Sequence, residues 1–166
     1  MPFYHIQHSA SLAPSQRQNL ATSLTNLHAQ TFNTPSLFVN IKFTAHADSN
    51  AEDFFVGGNR KDGTNVIFAY VRGGGGRGQE GFDKLAKEME ACWDEVVGNQ
   101  EKLQGIFIVP GLVARERGLA IPVVGKEAQW LEENWSDFEK MAAAGDEDFK
   151  GLVDEVKKRP ELLQSF

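Results

Sequence analysis

Pro2 stands directly behind the initiator methionine and heads an apolar run, Pro2-Phe3-Tyr4-His5-Ile6. Removal of Met1 turns it into a free secondary amine, a base and a nucleophile whose ring fixes the direction of the lone pair. Burial disfavours the charged form and lowers its pKa, so a strand that sinks this nitrogen in a pocket makes a proton carrier. A proline after methionine is equally compatible with no role, and the weight of the reading rests on what surrounds it.

Three other places carry candidate chemistry. His28 lies beside the apolar stripe of a helix, four residues after Leu24; it is either a satisfied core histidine or an imidazole that donates to a substrate oxygen. Arg72 and Arg77 flank Gly73-Gly74-Gly75-Gly76 between a strand and a helix. Glycine lets backbone amides approach a ligand and arginine matches a carboxylate with two parallel hydrogen bonds, an anion site if the run is not merely a linker. It is neither a P-loop nor a dinucleotide fingerprint. Glu116, in Ala114-Arg115-Glu116-Arg117-Gly118, either orients water and takes a proton or pairs with a neighbouring arginine. His5 and His8 read as strand surface.

These residues need elements to hold them. Residues 3 to 8 read as a strand, and Ser11 to Pro14 open a helix with inward positions Leu20, Leu24, Leu27 and Thr31, ended by Asn33-Thr34-Pro35. Leu37, Val39, Ile41 and Phe43 then alternate with Phe38, Asn40 and Lys42 as a strand does. After a polar stretch and a turn-rich segment the pattern recurs: a strand over Val66 to Val71, a stripe of Phe82, Leu85, Ala86, Met89, Trp93 and Val96, and a strand over Ile106 to Val109. Two β-α-β units roughly 64 residues apart suggest an internal pseudo-repeat. A ferredoxin-like β-α-β-β-α-β binding domain has the same element order. Beyond Pro110 the chain turns helical, with Leu131, Trp135, Phe138 and Ala142 on one face, a break at Gly145, and a last helix carrying Phe149, Leu152, Val153 and Val156. That tail reads as packing material.

At 166 residues and 41% hydrophobic composition, one core and one domain over residues 1–166 are expected, with a double β-α-β core over 1–110 and a helical extension over 111–166. The net charge of −6 is uneven: residues 86–166 carry ten Lys/Arg against seventeen Asp/Glu, which repels phosphate backbones and argues against nucleic acid. Cys92 is the only cysteine, so an internal disulfide and a Cys/His metal cluster are both excluded. With no long apolar stretch, a cytoplasmic protein without a membrane partner is expected.

In order and spacing these positions resemble the tautomerase superfamily, and within it the branch of cis-3-chloroacrylic acid dehalogenase. The markers are Met-Pro-Phe-Tyr at the start, the helix from Leu12-Ala13-Pro14-Ser15 to Leu27-His28, Asn40-Ile41-Lys42-Phe43, Phe55-Val56-Gly57-Gly58, Arg77, and Glu116 before Gly118 and Pro122. The resemblance implies an α/β (α+β) fold in which two β-α-β units form one four-stranded, mainly parallel sheet with helices on one face, in a homotrimer. It also implies that Pro2 is the general acid or base, that His28 helps bind substrate, that Arg72 and Arg77 hold a carboxylate, and that Glu116 works with a tyrosine on water. That tyrosine has no counterpart between Gly105 and Glu116, where Phe107, Ile108 and Val109 stand.

The expectation is therefore a cofactor-independent isomerase, a keto-enol tautomerase moving a proton on a small 2-oxo, enol or unsaturated carboxylic acid. The alternatives are a cis-3-haloacrylate dehalogenase or hydratase, and a catalytically silent carboxylate-binding or structural oligomer.

Overall fold

The computed structural model describes residues 1–46, 54–74 and 78–164. The first unit is β1 (Phe3–His8), α1 (Pro14–Thr31) and β2 (Asn40–Ala45); the second is β5 (Val66–Val71), α2 (Gln79–Val97) and β6 (Gly105–Pro110). Between them lies a small hairpin, β3 (Phe54–Val56) and β4 (Asn59–Lys61). Another, β7 (Arg115–Glu116) and β8 (Leu119–Ala120), precedes α3 (Glu127–Ala143) and α4 (Glu147–Lys158).

The main sheet has the order β2-β1-β5-β6. Within each unit the two strands pair directly and in parallel, and the units meet through the antiparallel pair β1–β5. Direct pairing inside each unit rules out the ferredoxin-like alternative, whose β-α-β units are split by an intervening strand. Alternation along β1 and β5 sends Tyr4, Ile6, Ile67, Ala69 and Val71 to one face, where they are buried against Leu20 and Leu24 of α1 and Leu85, Met89 and Trp93 of α2. The opposite face carries Phe3, Phe107 and Val109, all exposed, with the Phe68 and Phe107 rings stacked 5.4 Å apart.

Local chemistry explains the element ends. Pro14 occupies the first turn of α1, where its missing N–H costs nothing, and the Gln16 side chain accepts from the Ala13 N–H at 3.0 Å. At the other end Asn33 turns left-handed (φ 44°), Thr34 N–H returns to the Ala29 carbonyl at 3.1 Å, and Pro35 forbids continuation. The Asp146 carboxylate caps α4 by accepting from the N–H groups of Asp148 and Phe149.

Four details depart from the sequence reading. The strand expected from Leu37 begins at Asn40, because Ser36–Phe38 form a short 3-10 turn that buries Phe38 away from the sheet. Thr31 is exposed, and the buried positions near the end of α1 are His28 and Ala29. His8 is buried, its Nδ1 2.8 Å from the Ala10 carbonyl oxygen, since the segment after β1 folds back over it. The segment after Pro110, expected to be helical, first forms the β7–β8 hairpin, turned by Arg117 (φ 49°) and Gly118 (φ 82°).

The C-terminal helices build a second apolar cluster from Leu131, Phe138, Phe149, Leu152, Val156 and Leu162, which also takes in Met1 and Phe38. A polar clamp fastens it to the first unit. The Glu155 carboxylate accepts from the Ser36 N–H at 2.9 Å and the Ser36 hydroxyl at 3.0 Å, and pairs with Arg159 at 2.7 Å. Arg159 in turn donates to the Ala29 carbonyl at 3.3 Å and to Asn33 Oδ1 at 3.2 Å. Among the described residues no helix is long and apolar enough to cross a membrane.

The clamp closes the turn between α1 and β2, so its loss is expected to weaken the whole fold. Replacing Glu155 with Ala leaves the Ser36 donors and the Arg159 guanidinium without their acceptor and is expected to cost about 2 kcal/mol. Urea unfolding checks this: the midpoint falls while the slope stays unchanged.

Candidate active site

The register Phe3↔Tyr70 places the start of β1 beside the end of β5, so Pro2 and Arg72, each just outside its strand, meet at one end of the sheet. Pro2 is buried. Its nitrogen is acylated by Met1, a residue only 4% exposed. Met1 and Arg72 line one recess of ≈ 250 Å³, its open mouth included, together with Thr34, Phe38, Glu127 and Trp130.

Arg72 is 5% exposed and does not stand alone. It donates from Nη1 to the Pro122 carbonyl at 2.8 Å and from Nη2 to Glu127 Oε1 at 2.7 Å. Glu127, the first residue of α3, is 17% exposed, so the pair is largely removed from water. The guanidinium has five N–H donors, and these two bonds leave capacity for a further acceptor.

On the other side of Pro2 stands Asn40, the first residue of β2. Its N–H donates to the Pro2 carbonyl at 3.2 Å, and its side-chain amide donates to Glu116 Oε1 at 2.9 Å. Glu116 therefore approaches from the β7–β8 hairpin. It is bonded to an asparagine rather than to the neighbouring Arg117, which turns away to Asp146 and Asp148 and lies over the Phe149 ring. The hairpin is thereby fixed to α4 while its carboxylate points back toward β2.

His28 is buried on α1, its Nδ1 2.6 Å from the Tyr4 hydroxyl and its ring 4.6 Å from that of Phe32. It is not among the residues lining the recess. Tyr4, two residues after Pro2, is buried on the helix-covered face of β1, and the histidine is held against it. Arg77 lies outside the described residues.

The structure thus gathers Pro2, Arg72 and, through Asn40, Glu116 at one end of the sheet, and sets His28 against Tyr4, outside the lining of the recess. Sequence reasoning missed Asn40, Tyr4 and Glu127. Asn40 has the appearance of an ordinary outward strand position. Glu127 is an acid in the first turn of a helix, a pattern explained by the helix dipole alone, and only the packing of α3 against the end of β5 gives it a partner. Among the described residues no group of His, Cys, Asp and Glu gathers into a metal site.

A family model described as "Putative oxalocrotonate tautomerase enzyme" matches residues 1–135. Among solved structures, N1, a member of the cis-3-chloroacrylic acid dehalogenase family, is 25% identical with a TM-score of 0.63, covering 81% of this chain and 99% of that one. A protein of the thermophilic fungus Aspergillus fumigatus is 23% identical with a TM-score of 0.61, covering 81% of this chain and 94% of that one. A fused 4-OT described as an asymmetric trimer shares the fold at 16% identity and a TM-score of 0.53, covering 71% of this chain and 94% of that one. No curated protein matches the chain. The chain belongs to the tautomerase superfamily, a superfamily of enzymes, as the resemblance implied.

Breaking the Arg72–Glu127 pair from one side is expected to be worse than removing it. Glu127→Ala strands a buried guanidinium and is expected to cost about 3 kcal/mol, whereas Arg72→Met combined with Glu127→Met costs less. Urea unfolding of the single and double variants measures the difference.

Proposed function

We propose that the protein is an isomerase that moves a proton on a small 2-oxo or enol carboxylic acid, with the nitrogen of Pro2, freed of Met1, as the proton carrier. The observation that carries this reading is the convergence of a buried Pro2 with Arg72 at one end of the sheet in a chain of the tautomerase superfamily. Arg72 grips the substrate carboxylate with donors not spent on Pro122 and Glu127. We assign Arg77 a share in that grip on the strength of its place in the sequence.

The base role follows from the balance of nearby charges. A cation beside the proline disfavours its ammonium form and a carboxylate favours it. Arg72 and Glu127 are paired, so their effects on the proline oppose each other, and burial remains as the influence that holds the amine neutral. The neutral nitrogen takes a proton from the carbon beside the carbonyl and returns it at another atom. We assign His28 the part of donor to the developing enolate oxygen on the strength of its place in the sequence; in the tautomer that accepts from Tyr4 at Nδ1, the ring hydrogen is on Nε2. Positioning and electrostatic stabilisation of the enolate supply the rate. Glu116, steadied by Asn40, orients water or receives a proton near the carbonyl side of Pro2.

The same assignment includes assembly. The exposed aromatic face of the sheet, with Phe3, Phe107 and Val109, supports a homotrimer closed through that face, as does the likeness to a protein whose structure is a trimer. Light scattering is expected to give about three times 18.4 kDa, and a stable monomer removes this part of the reading.

The decisive test pairs intact mass with an assay. Protein whose mass shows Met1 removed is expected to catalyse tautomerisation of enol pyruvates, and Pro2→Ala is expected to lose at least 100-fold in kcat/KM, on the order expected for an acid–base group, while the circular dichroism spectrum stays the same. A natively expressed protein that keeps Met1 has an amide where the base should be; that result, or unchanged turnover by Pro2→Ala, overturns the proposal.

A further inference from the structure

One wall of the recess beside Pro2 is a side chain that the proposed reaction requires to leave. Met1 is 4% exposed and belongs to the apolar cluster that includes Phe38 and Leu131, with Trp130 packed against it. Phe38 and Trp130 meet edge to face at 5.3 Å, and Trp130 lies 5.6 Å from Phe138, so this wall is a rigid aromatic layer supplied partly by α3. Arg72 and Glu127 pair in the recess, with Thr34 as a further polar lining residue, while Met1, Phe38, Trp130 and Leu131 supply apolar lining.

Met1 also marks a direction. Its carbonyl carbon is bonded to the Pro2 nitrogen, so its removal opens the space directly in front of that nitrogen. Its side chain then runs on from that point into the aromatic wall. A methionine side chain is unbranched and flexible, and what fits its path is a chain of the same shape.

We propose that the space Met1 vacates is the binding chamber for the substrate's tail, and that the substrate is a 2-oxo or enol acid bearing an unbranched apolar chain about as long as a methionine side chain. This rests on the proton-transfer reading above for the head of the molecule, and adds the identity of its tail. The carboxylate meets Arg72, the reacting carbon meets Pro2, and the tail replaces Met1 against Phe38, Trp130 and Leu131. Against Phe38, Trp130 and Leu131 an apolar tail regains the burial that Met1 gives up. A three-carbon acid leaves the chamber empty. The C-terminal helices, which the sequence suggests are packing material, thereby set specificity.

The test uses protein shown by intact mass to lack Met1. Deuterium exchange next to the carbonyl is followed by NMR for pyruvate, 2-oxobutanoate, 2-oxopentanoate, 2-oxohexanoate and 2-oxooctanoate, with 3-methyl-2-oxobutanoate as the branched control. KM is expected to fall roughly threefold to fourfold per added methylene until about four carbons extend beyond the reacting carbon, so that 2-oxohexanoate still gains over 2-oxopentanoate, with little change in kcat, and to level or rise by 2-oxooctanoate; the branched acid is expected to bind less well than its straight isomer. Exchange that depends on Pro2 but is flat across the series, or best with pyruvate, overturns the chamber and leaves the proton-transfer reading standing. If no acid exchanges, that reading fails, and calorimetric titration with acetate, butanoate and hexanoate decides the chamber alone. Affinity that rises with length, and is weaker in protein retaining Met1, supports it; affinity independent of length overturns it.

Discussion

The antiparallel ladder between β1 and β5 is the constraint from which the rest of the molecule follows. Each β-α-β unit closes its own parallel pair, and a right-handed crossover of that kind covers only one face of its two strands. Pairing β1 with β5 joins the two short sheets into one and brings α1 and α2 together over a shared apolar layer. Because the join is antiparallel, the beginning of one central strand lies beside the end of the other. The residues at the start of the chain are thus set against Arg72, a cation seventy residues later, and a parallel join would have sent them to opposite ends of the sheet.

The C-terminal helices complete that end. Their apolar cluster covers the side of the turn that carries Thr34 and Phe38, and it reaches Met1. Two polar devices fix the attachment: the Glu155–Arg159 clamp on the turn after α1, and the Arg72–Glu127 pair at the end of β5. Buried ion pairs are weak sources of stability but demanding in geometry, because separating the partners leaves a charge without water. The second device therefore orients Arg72 more than it stabilises the fold. It also changes the electrostatics of the recess, since a lone arginine there acts on a neighbouring amine as a cation, whereas one held by a carboxylate acts as a dipole.

The candidate site was legible in the sequence where its residues announce themselves by position. Pro2 does so by following methionine, Arg72 by ending a strand before a glycine run, and Glu116 by its place in the family's order of motifs. What the sequence left open were the residues whose surroundings depend on a distant partner. Asn40 has the signature of any polar strand residue until its two bonds, to the Pro2 carbonyl and to Glu116, are seen together. His28 could be a ligand donor or a core residue from its spacing alone, and only the packing of α1 on β1 sets it against Tyr4.

By itself the sequence determined the local elements, because period, proline, glycine and capping residues act over a few positions, and these are the interactions that a chain encodes without long-range closure. It placed β1, β5, α1, α2 and the two terminal helices in this way, and misplaced the start of β2, where an apolar alternation continued through a 3-10 turn whose Phe38 is claimed by the second cluster. Only the tertiary structure decided which way the two units join, where Glu127 points, and that Met1 lies buried against Phe38 and Trp130. Those outcomes depend on contacts between residues far apart in the chain, and their free energy comes from burial and pairing that exist only after the helices and strands have met.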